Sequence, residues 1–552
     1  MIRKLLYKAF AVLGGNEVKA FDLASRNCQQ AQTERLLEII SPNVATEFGV
    51  KHGFAKIKSV KDFQNAVPIL NYDDLSPLIE RMAAGEQNIL TAEAPYMFAT
   101  TSGTTGARKL IPVNSLYMKE FRRASVISGF NLLRNFPKLS NGVALTIFSS
   151  AEEGRTSGNI PYGAISGKLY QTEPKLIKKF VSPIPYEVFL IKDYEARYYT
   201  LLRCALMLPI ACIYTLNPST IALLGRRLKT YGERLLKDIS DGTLTAPGAV
   251  PPEVREAIKH FLVADPHRAR RLAKHCQGGD LEAAQVWPAL TMISCWTKAA
   301  AAFYLKDLPE LYGDVPICDI TYGASEGRGT VGVSIQDQAL AIRSHFFEFV
   351  EVDDMDKENP PVLTAAEVEV GKSYYILFTT SAGLCRYNLN DIVKIVGRYD
   401  TTPLIEFQHK GGNISSFTGE KLTESQVTEA VKATTAKLGI ETRFFSVLPQ
   451  FRPEPHYELY IETARTLSND EISLCAQRLD LELNIANSEY ETKRQSQRLA
   501  APTVHLLAPG TYEKIRKELV DSGVPDAQIK ISHLNPKSEV KELILAKALV
   551  LS

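Results

Sequence analysis

The chain has 552 residues, of which 45% are hydrophobic and 23% charged, the balance of an ordinary globular protein with ample length for a large core. Lysine plus arginine number 64 against 62 aspartate plus glutamate, a formal charge of +2. No field of one sign draws such a chain to nucleic acid or an anionic membrane, and at about 150 residues per domain the length suggests three or four units. The first fifteen residues, MIRKLLYKAFAVLGG, put Ile2, Leu5, Leu6, Phe10 and Leu13 near helical spacing, with Lys8 interrupting the apolar run. They predict an amphipathic helix rather than a secretory leader. No stretch reaches the roughly 18 apolar residues of a membrane span. The eight cysteines (Cys28, Cys204, Cys212, Cys276, Cys295, Cys318, Cys385, Cys475) form no CxxC pair and have no histidines at zinc spacing. Free thiols, a reducing compartment and a cytoplasmic location are the expectation.

Residues 1 to about 90 read as helical, with a helix start at NYDD, 71–74. The segment TTSGTTGARK, 100–109, then gathers threonines, a serine and glycines ahead of a lysine. Glycine lets backbone approach a ligand, and N–H groups, hydroxyls and a lysine suit phosphate oxygens. The pattern is not that of a Walker loop, and on composition alone a plain polar surface loop fits equally well. The LIPV run after it suggests an ordered strand, which favours a function.

Short β-branched runs at 142–150, 289–296 and 315–322 alternate with helical stretches at 193–208 and 218–238, the signature of α/β layering around a buried sheet. TYGASEGRGTVG, 321–332, satisfies both the hydrolase G-x-S-x-G and the dinucleotide G-x-G-x-x-G. Each requires a helix immediately afterwards, and the β-branched VGVSI argues against one. What is left is an aromatic ring, a hydroxyl and a carboxylate suited to magnesium at a strand end: Tyr322, Ser325 and Glu326.

Strand succeeds strand from about 329 to 410. Within this run, GLCRYNLNDIVKIVG at 383–397 sets Arg386 and Asp391 around a turn. The carboxylate suits ribose hydroxyls, and the guanidinium can be structural or face phosphate; an Arg–Asp surface pair is an equal alternative. GGNISS at 411–416 is the expected hinge, dividing the chain into 1–408 and 409–552. Beyond it a helix at 422–438, strands RFFSVLP and YELYIET, a long helix from 468 and strand TVHLLA describe a smaller α+β domain. Its AQIKISHLN segment carries Lys530, by itself only a solvated charge.

In their order and spacing these segments resemble the adenylate-forming superfamily, and more closely the plant auxin-responsive acyl-acid amido synthetases of the Gretchen-Hagen family and their bacterial relatives. The similarity runs almost end to end. It includes TTSGTTGARKLIPV, VPICDITYGASEG, TTSAGLCRYNLNDIVKIVG, GEKLTESQV, an N-x-x-Y-x-x-x-R pattern at Asn487, Tyr490 and Arg494, and a turn at Gly510, Thr511 and Tyr512. The resemblance implies a large amino-terminal α/β domain with a barrel-like part and a small mobile carboxy-terminal domain. It implies ATP and magnesium as cofactors, a small-molecule carboxylic acid as substrate and an amine or amino acid as acceptor.

Carried over residue by residue, Thr101, Ser102, Gly103, Thr104, Thr105, Gly106 and Lys109 would hold phosphates. Tyr322, with Gly323 and Ala324, would lie at the adenine, Ser325 near phosphate, Glu326 on the metal, Arg386 at phosphate and Asp391 on ribose. Lys530, with Lys537 as the alternative, would be the mobile-domain lysine, and Trp296 and Thr297 are candidates for the acyl pocket. Three positions depart from the family pattern: Cys385 stands for tyrosine, Asn390 for glycine, and Ile-Ser-His comes after Lys530 where Pro-Arg is usual. An acyl ligase using coenzyme A or a carrier, a hydrolase using Ser325 and a non-catalytic binder are the competing readings.

Overall fold

The computed structural model describes residues 2–101, 109–274, 276–277, 280–298, 305–355, 357–411, 414–415, 422–450, 454–495, 499–521, 531–534, 542 and 544. The chain divides into two compact units, Met1–Phe407 and Gln408–Ser552.

The first unit opens with helices α1 (Ile2–Ser25), α2 (Cys28–Ile40) and α3 (Tyr72–Ala83). The amphipathic reading of the first helix is only partly met. Ile2, Leu5 and Leu13 are exposed, and the seam is instead made by glycines: Phe130 packs so closely on Gly14 that a Cβ there would lie 2.9 Å from its own, while Phe10 lies against Gly129. Helix α3 starts where NYDD predicts it. Asn71 caps the amides of Asp73 and Asp74, and the Asp74 carboxylate returns to the Asn71 amide. Pro77 removes the amide that would bond the Asp73 carbonyl, and the Ser76 hydroxyl takes its place.

Strands β1 (Met97–Thr101) and β2 (Lys109–Val113) form an antiparallel hairpin, and the Asn114-capped helix α4 (Ser115–Asn135) comes directly after it. Four parallel strands, β3 (Val143–Thr146), β4 (Ile210–Tyr214), β5 (Met292–Cys295) and β6 (Ile317–Asp319), form a sheet in the order β6-β5-β4-β3. The expected helix over 218–238 is two helices, Pro218–Thr230 and Gly232–Asp241, parted at Tyr231. A miniature hairpin, β7 (Gly323–Ala324) and β8 (Gly327–Arg328), leads into a seven-stranded sheet. That sheet is built from β9 (Thr330–Gly332), β10 (Gln338–Leu340), β11 (Phe346–Glu351), β12 (Leu363–Thr364), β13 (Ser373–Thr379), β14 (Tyr387–Tyr399) and β15 (Thr402–Lys410), in the order β9-β10-β15-β14-β13-β11-β12. One continuous core joins it to α1–α4 and the first hairpin.

Cys28, Cys204, Cys295, Cys318, Cys385 and Cys475 are buried free thiols and Cys212 is a half-buried one. No described helix is long and apolar enough to cross a membrane. Between the helices Ile165–Gln171 and Lys175–Phe180, half-buried Glu173 has an Oε2 without a hydrogen-bond partner among the described residues, and burial lifts its carboxyl from 4.5 to about 7 against the pull of Lys178 and Arg122. The unfolded chain releases this proton first, so the group costs stability as pH rises from about 4.5 to 7. Glu173→Gln should therefore stabilise the protein by about 1–3 kcal/mol at pH 8 and change little at pH 4, read as urea midpoints at both values.

In the second unit, helix α5 (Glu424–Lys437) begins with a Thr423–Gln426 capping box. After it come β16 (Thr442–Gln450), β17 (His456–Thr463), helix α6 (Asn469–Ala486) and β18 (Thr503–Leu507), with β16 antiparallel and β18 parallel to the central β17. The N-x-x-Y-x-x-x-R residues are a brace. The Asn487 side chain accepts from the Tyr490 amide, while Tyr490 and the Arg494 fork both bond Asp480. Ser532 and His533 tie their segment to Glu424 Oε1, and the Val447 amide bonds the His533 carbonyl. Of the expected hinge, residues 412, 413 and 416 lie outside the described residues, and Ile414–Ser415 pairs with Leu422–Thr423.

Candidate functional site

Thr101 and Lys109 face each other as the last pair of the β1–β2 hairpin, so the phosphate-loop candidate joins two directly opposed residues. Ser102, Gly103, Thr104, Thr105 and Gly106 lie outside the described residues, as do Lys530 and Lys537. Both ends of the loop are anchored. At the exit, the Leu110 amide donates to the Tyr72 hydroxyl at 2.9 Å, and Lys109 Nζ lies 5.1 Å from the Tyr72 ring centroid. At the entry, the Ser325 hydroxyl donates to the Thr100 carbonyl at 3.0 Å.

Ser325 and Glu326 are the two turn residues between β7 and β8. The chain continues from this turn as a strand rather than a helix, so neither the nucleophile elbow nor the dinucleotide fold exists here. The Tyr117 hydroxyl, rising from α4, donates to the Ser325 carbonyl at 2.8 Å. On the return strand the Arg328 amide donates to His345 Nε2 at 3.1 Å, which leaves the imidazole proton on Nδ1, 3.2 Å from Glu120 Oε2. Burial holds the His345 pKa low, so the ring is a neutral acceptor for the hairpin. The motif's second glycine is needed because this packing is tight: a Cβ on Gly327 would lie 2.9 Å from the Phe378 ring and 3.0 Å from His345 Nε2.

Tyr322 is 9% exposed, and its hydroxyl donates to Asp391 Oδ2 at 2.7 Å. Its ring stacks on Phe407 at 5.5 Å and stands edge-on to Phe378. The Gln338 side chain fixes its backbone: Oε1 accepts from the Tyr322 amide at 2.9 Å, and Nε2 donates to Asp319 Oδ2 at 2.6 Å. The other Asp319 oxygen accepts from the Thr297 amide at 2.9 Å, and the Trp296 amide bonds the Leu216 carbonyl. Burial raises the Asp319 pKa while these donors oppose it. One carboxylate thus ties the Trp296–Thr297 segment to the tyrosine beside Asp391.

The carboxylate of Glu326 is felt by four phenols. Tyr72, Tyr117, Tyr322 and Tyr387 all have raised pKa values, through burial first and then through negative charge to which Glu326 contributes in each case. The site is therefore anionic within an aromatic wall, with Lys109 at its edge. Among the described residues no three His, Cys, Asp or Glu side chains gather as a metal site. A single carboxylate beside the candidate phosphate loop is a donor set that would suit magnesium, an ion that takes one or two carboxylates and completes its shell with water and phosphate oxygen.

Asp391 comes directly after Asn390, whose φ of +61° is left-handed, and this explains one departure from the expected pattern. Asparagine is among the few residues besides glycine that adopt this conformation readily. Cys385 fills buried space, and burial pushes its thiol up to about 12. Arg386 corrects the reading that placed it at phosphate. It is 4% exposed; its Nε donates to Glu348 at 3.0 Å and its Nη1 to the carbonyls of Gln64 and Val67. These donors are spent on the protein interior, so its role is to hold the turn.

Tyr72, Tyr117, Asp319, Gln338 and His345 are the site residues that reading motifs misses. Tyr117 and Ser325 are 208 positions apart, and only Tyr72, in NYDD, and Asp319 lie inside segments that stand out in the sequence.

The comparisons with known proteins agree along the whole length. Models of the GH3 family N-terminal, central and C-terminal domains match residues 17–317, 338–410 and 425–539. The chain is 27% identical to jasmonoyl--L-amino acid synthetase JAR6 of Nicotiana attenuata, covering 97% of this chain and 96% of that protein. It is 26% identical to indole-3-acetic acid-amido synthetase GH3.3 of Arabidopsis thaliana, covering 94% and 91%. The solved structure of GH3.15 acyl acid amido synthetase superposes with a TM-score of 0.85 at 20% identity over 96% of each chain, an agreement of fold.

Proposed function

The chain belongs to the GH3 family, and on that premise we propose that it is an ATP-dependent acyl-acid amido synthetase. Such an enzyme joins a small carboxylic acid to an amine, with an amino acid as the natural acceptor. A carboxylate is a poor acyl donor because oxide would have to leave. In the first half-reaction a carboxylate oxygen attacks the α-phosphorus of ATP, the bond to the bridging oxygen breaks and pyrophosphate departs. In the second, the amine attacks the acyl carbon, loses a proton and expels AMP.

The observation that carries this reading is the convergence of the Ser325–Glu326 turn on the entry of the glycine- and threonine-rich loop, with Tyr322 and Asp391 joined beside it. Catalysis of this kind is largely positioning and charge neutralisation. The backbone and hydroxyls of Thr101, Ser102, Gly103, Thr104, Thr105 and Gly106, with Lys109, hold the phosphates. Tyr322, flanked by Gly323 and Ala324, faces the adenine, and Asp391 takes the ribose. Glu326 holds magnesium, which when bound neutralises phosphate charge. Trp296 and Thr297 border the acyl group.

Lys530, or Lys537 in its stead, brings a cation to the α-phosphate from the carboxy-terminal domain, 409–552. That domain moves about 409–416 between the half-reactions and admits the amine. A cytoplasmic location accords with the free thiols and with ATP as substrate.

Acid-dependent exchange of labelled pyrophosphate into ATP, run over aromatic, fatty and hydroxy acids, tests the first half-reaction. Exchange is expected with one class, and Glu326→Ala should lower it by about 10²–10³-fold. A Glu326→Ala enzyme with full magnesium-dependent exchange would refute the metal assignment. Release of AMP driven by amino acids, but not by thiols, would exclude a coenzyme A or carrier ligase.

A further inference from the structure

The motif that carries Glu326 ends in a cation, Arg328, to which the adenylation reading above assigns no role. Arg328 is half-buried on β8, two residues past the carboxylate, and its guanidinium meets no carboxylate among the described residues. Its side-chain hydrogen bonds are long: Nη1 to the Thr321 carbonyl at 3.5 Å and Nη2 to the Ser125 hydroxyl at 3.4 Å. Nε is buried with no hydrogen-bond partner among the described residues, and the group lies 4.9 Å from the Phe121 ring centroid. A guanidinium offers five donors in a fixed fork, and leaving them poorly met in a half-buried place is costly unless a ligand meets them. Its neighbour across the hairpin is Gly323, where a Cβ would lie 2.8 Å from Arg328 Cδ; the missing side chain lets the arginine lie across the hairpin.

Helix α4 serves as a ruler. Tyr117, Phe121 and Ser125 stand at i, i+4 and i+8 on one face of it. Tyr117 holds the Ser325–Glu326 turn, where the adenylation reading puts the metal and the reacting groups, whereas the guanidinium sits at the level of Phe121 and Ser125. At 1.5 Å per residue these are about 6 and 12 Å further along the helix axis. The Arg328 guanidinium is thus displaced from that turn along α4, beside Phe121 and Ser125.

We propose that Arg328 pairs with a second anionic group on the acid substrate, a carboxylate in the simplest case, about one to two helical turns from the carboxyl that is activated. The substrate class is then diacids and acids of similar charge pattern. Phe121 supplies a flat apolar flank, and the fork of Arg328 supplies the distal anchor. This inference rests on the adenylation reading.

The test compares pyrophosphate exchange supported by adipate and suberate with that supported by hexanoate and octanoate, in the wild type, Arg328→Met and Arg328→Lys. The wild type should prefer a diacid over the monoacid of equal length by about tenfold to a hundredfold, the reach of a charge-assisted arginine contact. Arg328→Met should abolish that ratio, and Arg328→Lys should keep part of it. No preference in the wild type, or an equal loss for both acids in Arg328→Met, would overturn the assignment and leave Arg328 a packing residue. Silence with every acid, ATP binding included, would sink the adenylation reading instead. Calorimetric binding of suberate and octanoate to the wild type and Arg328→Met would then decide Arg328 by itself, with the same ratio expected.

Discussion

Arg386→Met is expected to destabilise the amino-terminal unit by about 3–5 kcal/mol, because it leaves the Glu348 carboxylate uncompensated in the core. Glu348 is 1% exposed, and Arg386 Nε is its cationic partner at 3.0 Å. The same substitution strips the donor from the carbonyls of Gln64 and Val67, so a shape-matched methionine does not restore what is lost. Burial already pushes the Glu348 pKa up and Arg386 counters it, so removing the arginine raises the pKa further. A carboxyl whose folded pKa is raised costs stability above its unfolded pKa and nothing below it. The deficit should therefore be widest at neutral pH and narrow as pH falls toward the ordinary carboxyl range. Urea unfolding at pH 7 and pH 5 checks both statements, and Arg386→Met with Glu348→Gln should recover part of the loss. A single variant within 1 kcal/mol of wild type at pH 7 would show that the pair does not hold the turn.

A large effect on ATP binding is expected from a single methyl group. A Cβ on Gly329 would lie 2.2 Å from Tyr322 Cδ1 and 2.5 Å from Cε1, far inside contact distance. The ring has little room to retreat, since Phe407 stacks on it, Phe378 meets it edge-on and its hydroxyl is tethered to Asp391. Gly329→Ala must then displace the ring or the backbone, and either movement breaks the Tyr322–Asp391 bond. ATP affinity should fall by about tenfold to a hundredfold, with an overpacking cost of about 1–3 kcal/mol to the fold. A double-mutant cycle locates the cause. In a Tyr322→Leu background the alanine should cost much less, and a full-sized cost there would show that the ring is not what Gly329 accommodates.

The local grammar of the fold could be read from the chain wherever one residue type has one main use. Asn71 and Asp74 announce a helix, the β-branched runs give the parallel strands, and Asn390 stands where a left-handed turn needs asparagine or glycine. The site was legible as three motifs but not as a set of contacts. Glu348 sits among phenylalanines and valine in HFFEFVEV, where a carboxylate has no partner along its own strand, and only the approach of Arg386 from the turn before β14 makes its burial possible. Arg386 was misread for the same reason, since an arginine beside a turn has the same sequence whether it points inward or toward phosphate. Tyr117, Gln338 and His345 act on partners 208, 16 and 17 residues away, and tyrosine, glutamine and histidine carry no spacing rule that would reveal this.

The anchoring of Thr100 by Ser325 and of Leu110 by Tyr72 also bears on how such an enzyme can change over time. Both tethers hold main-chain atoms outside the stretch from 102 to 108, and neither depends on which side chains that stretch carries. Its residues can then be exchanged as a cassette without re-registering the hairpin or moving Glu326. A graft of the corresponding segment from a distant relative should change the turnover rate while leaving acid preference with the recipient. Turnover rate and substrate choice would in that way be free to drift separately under selection.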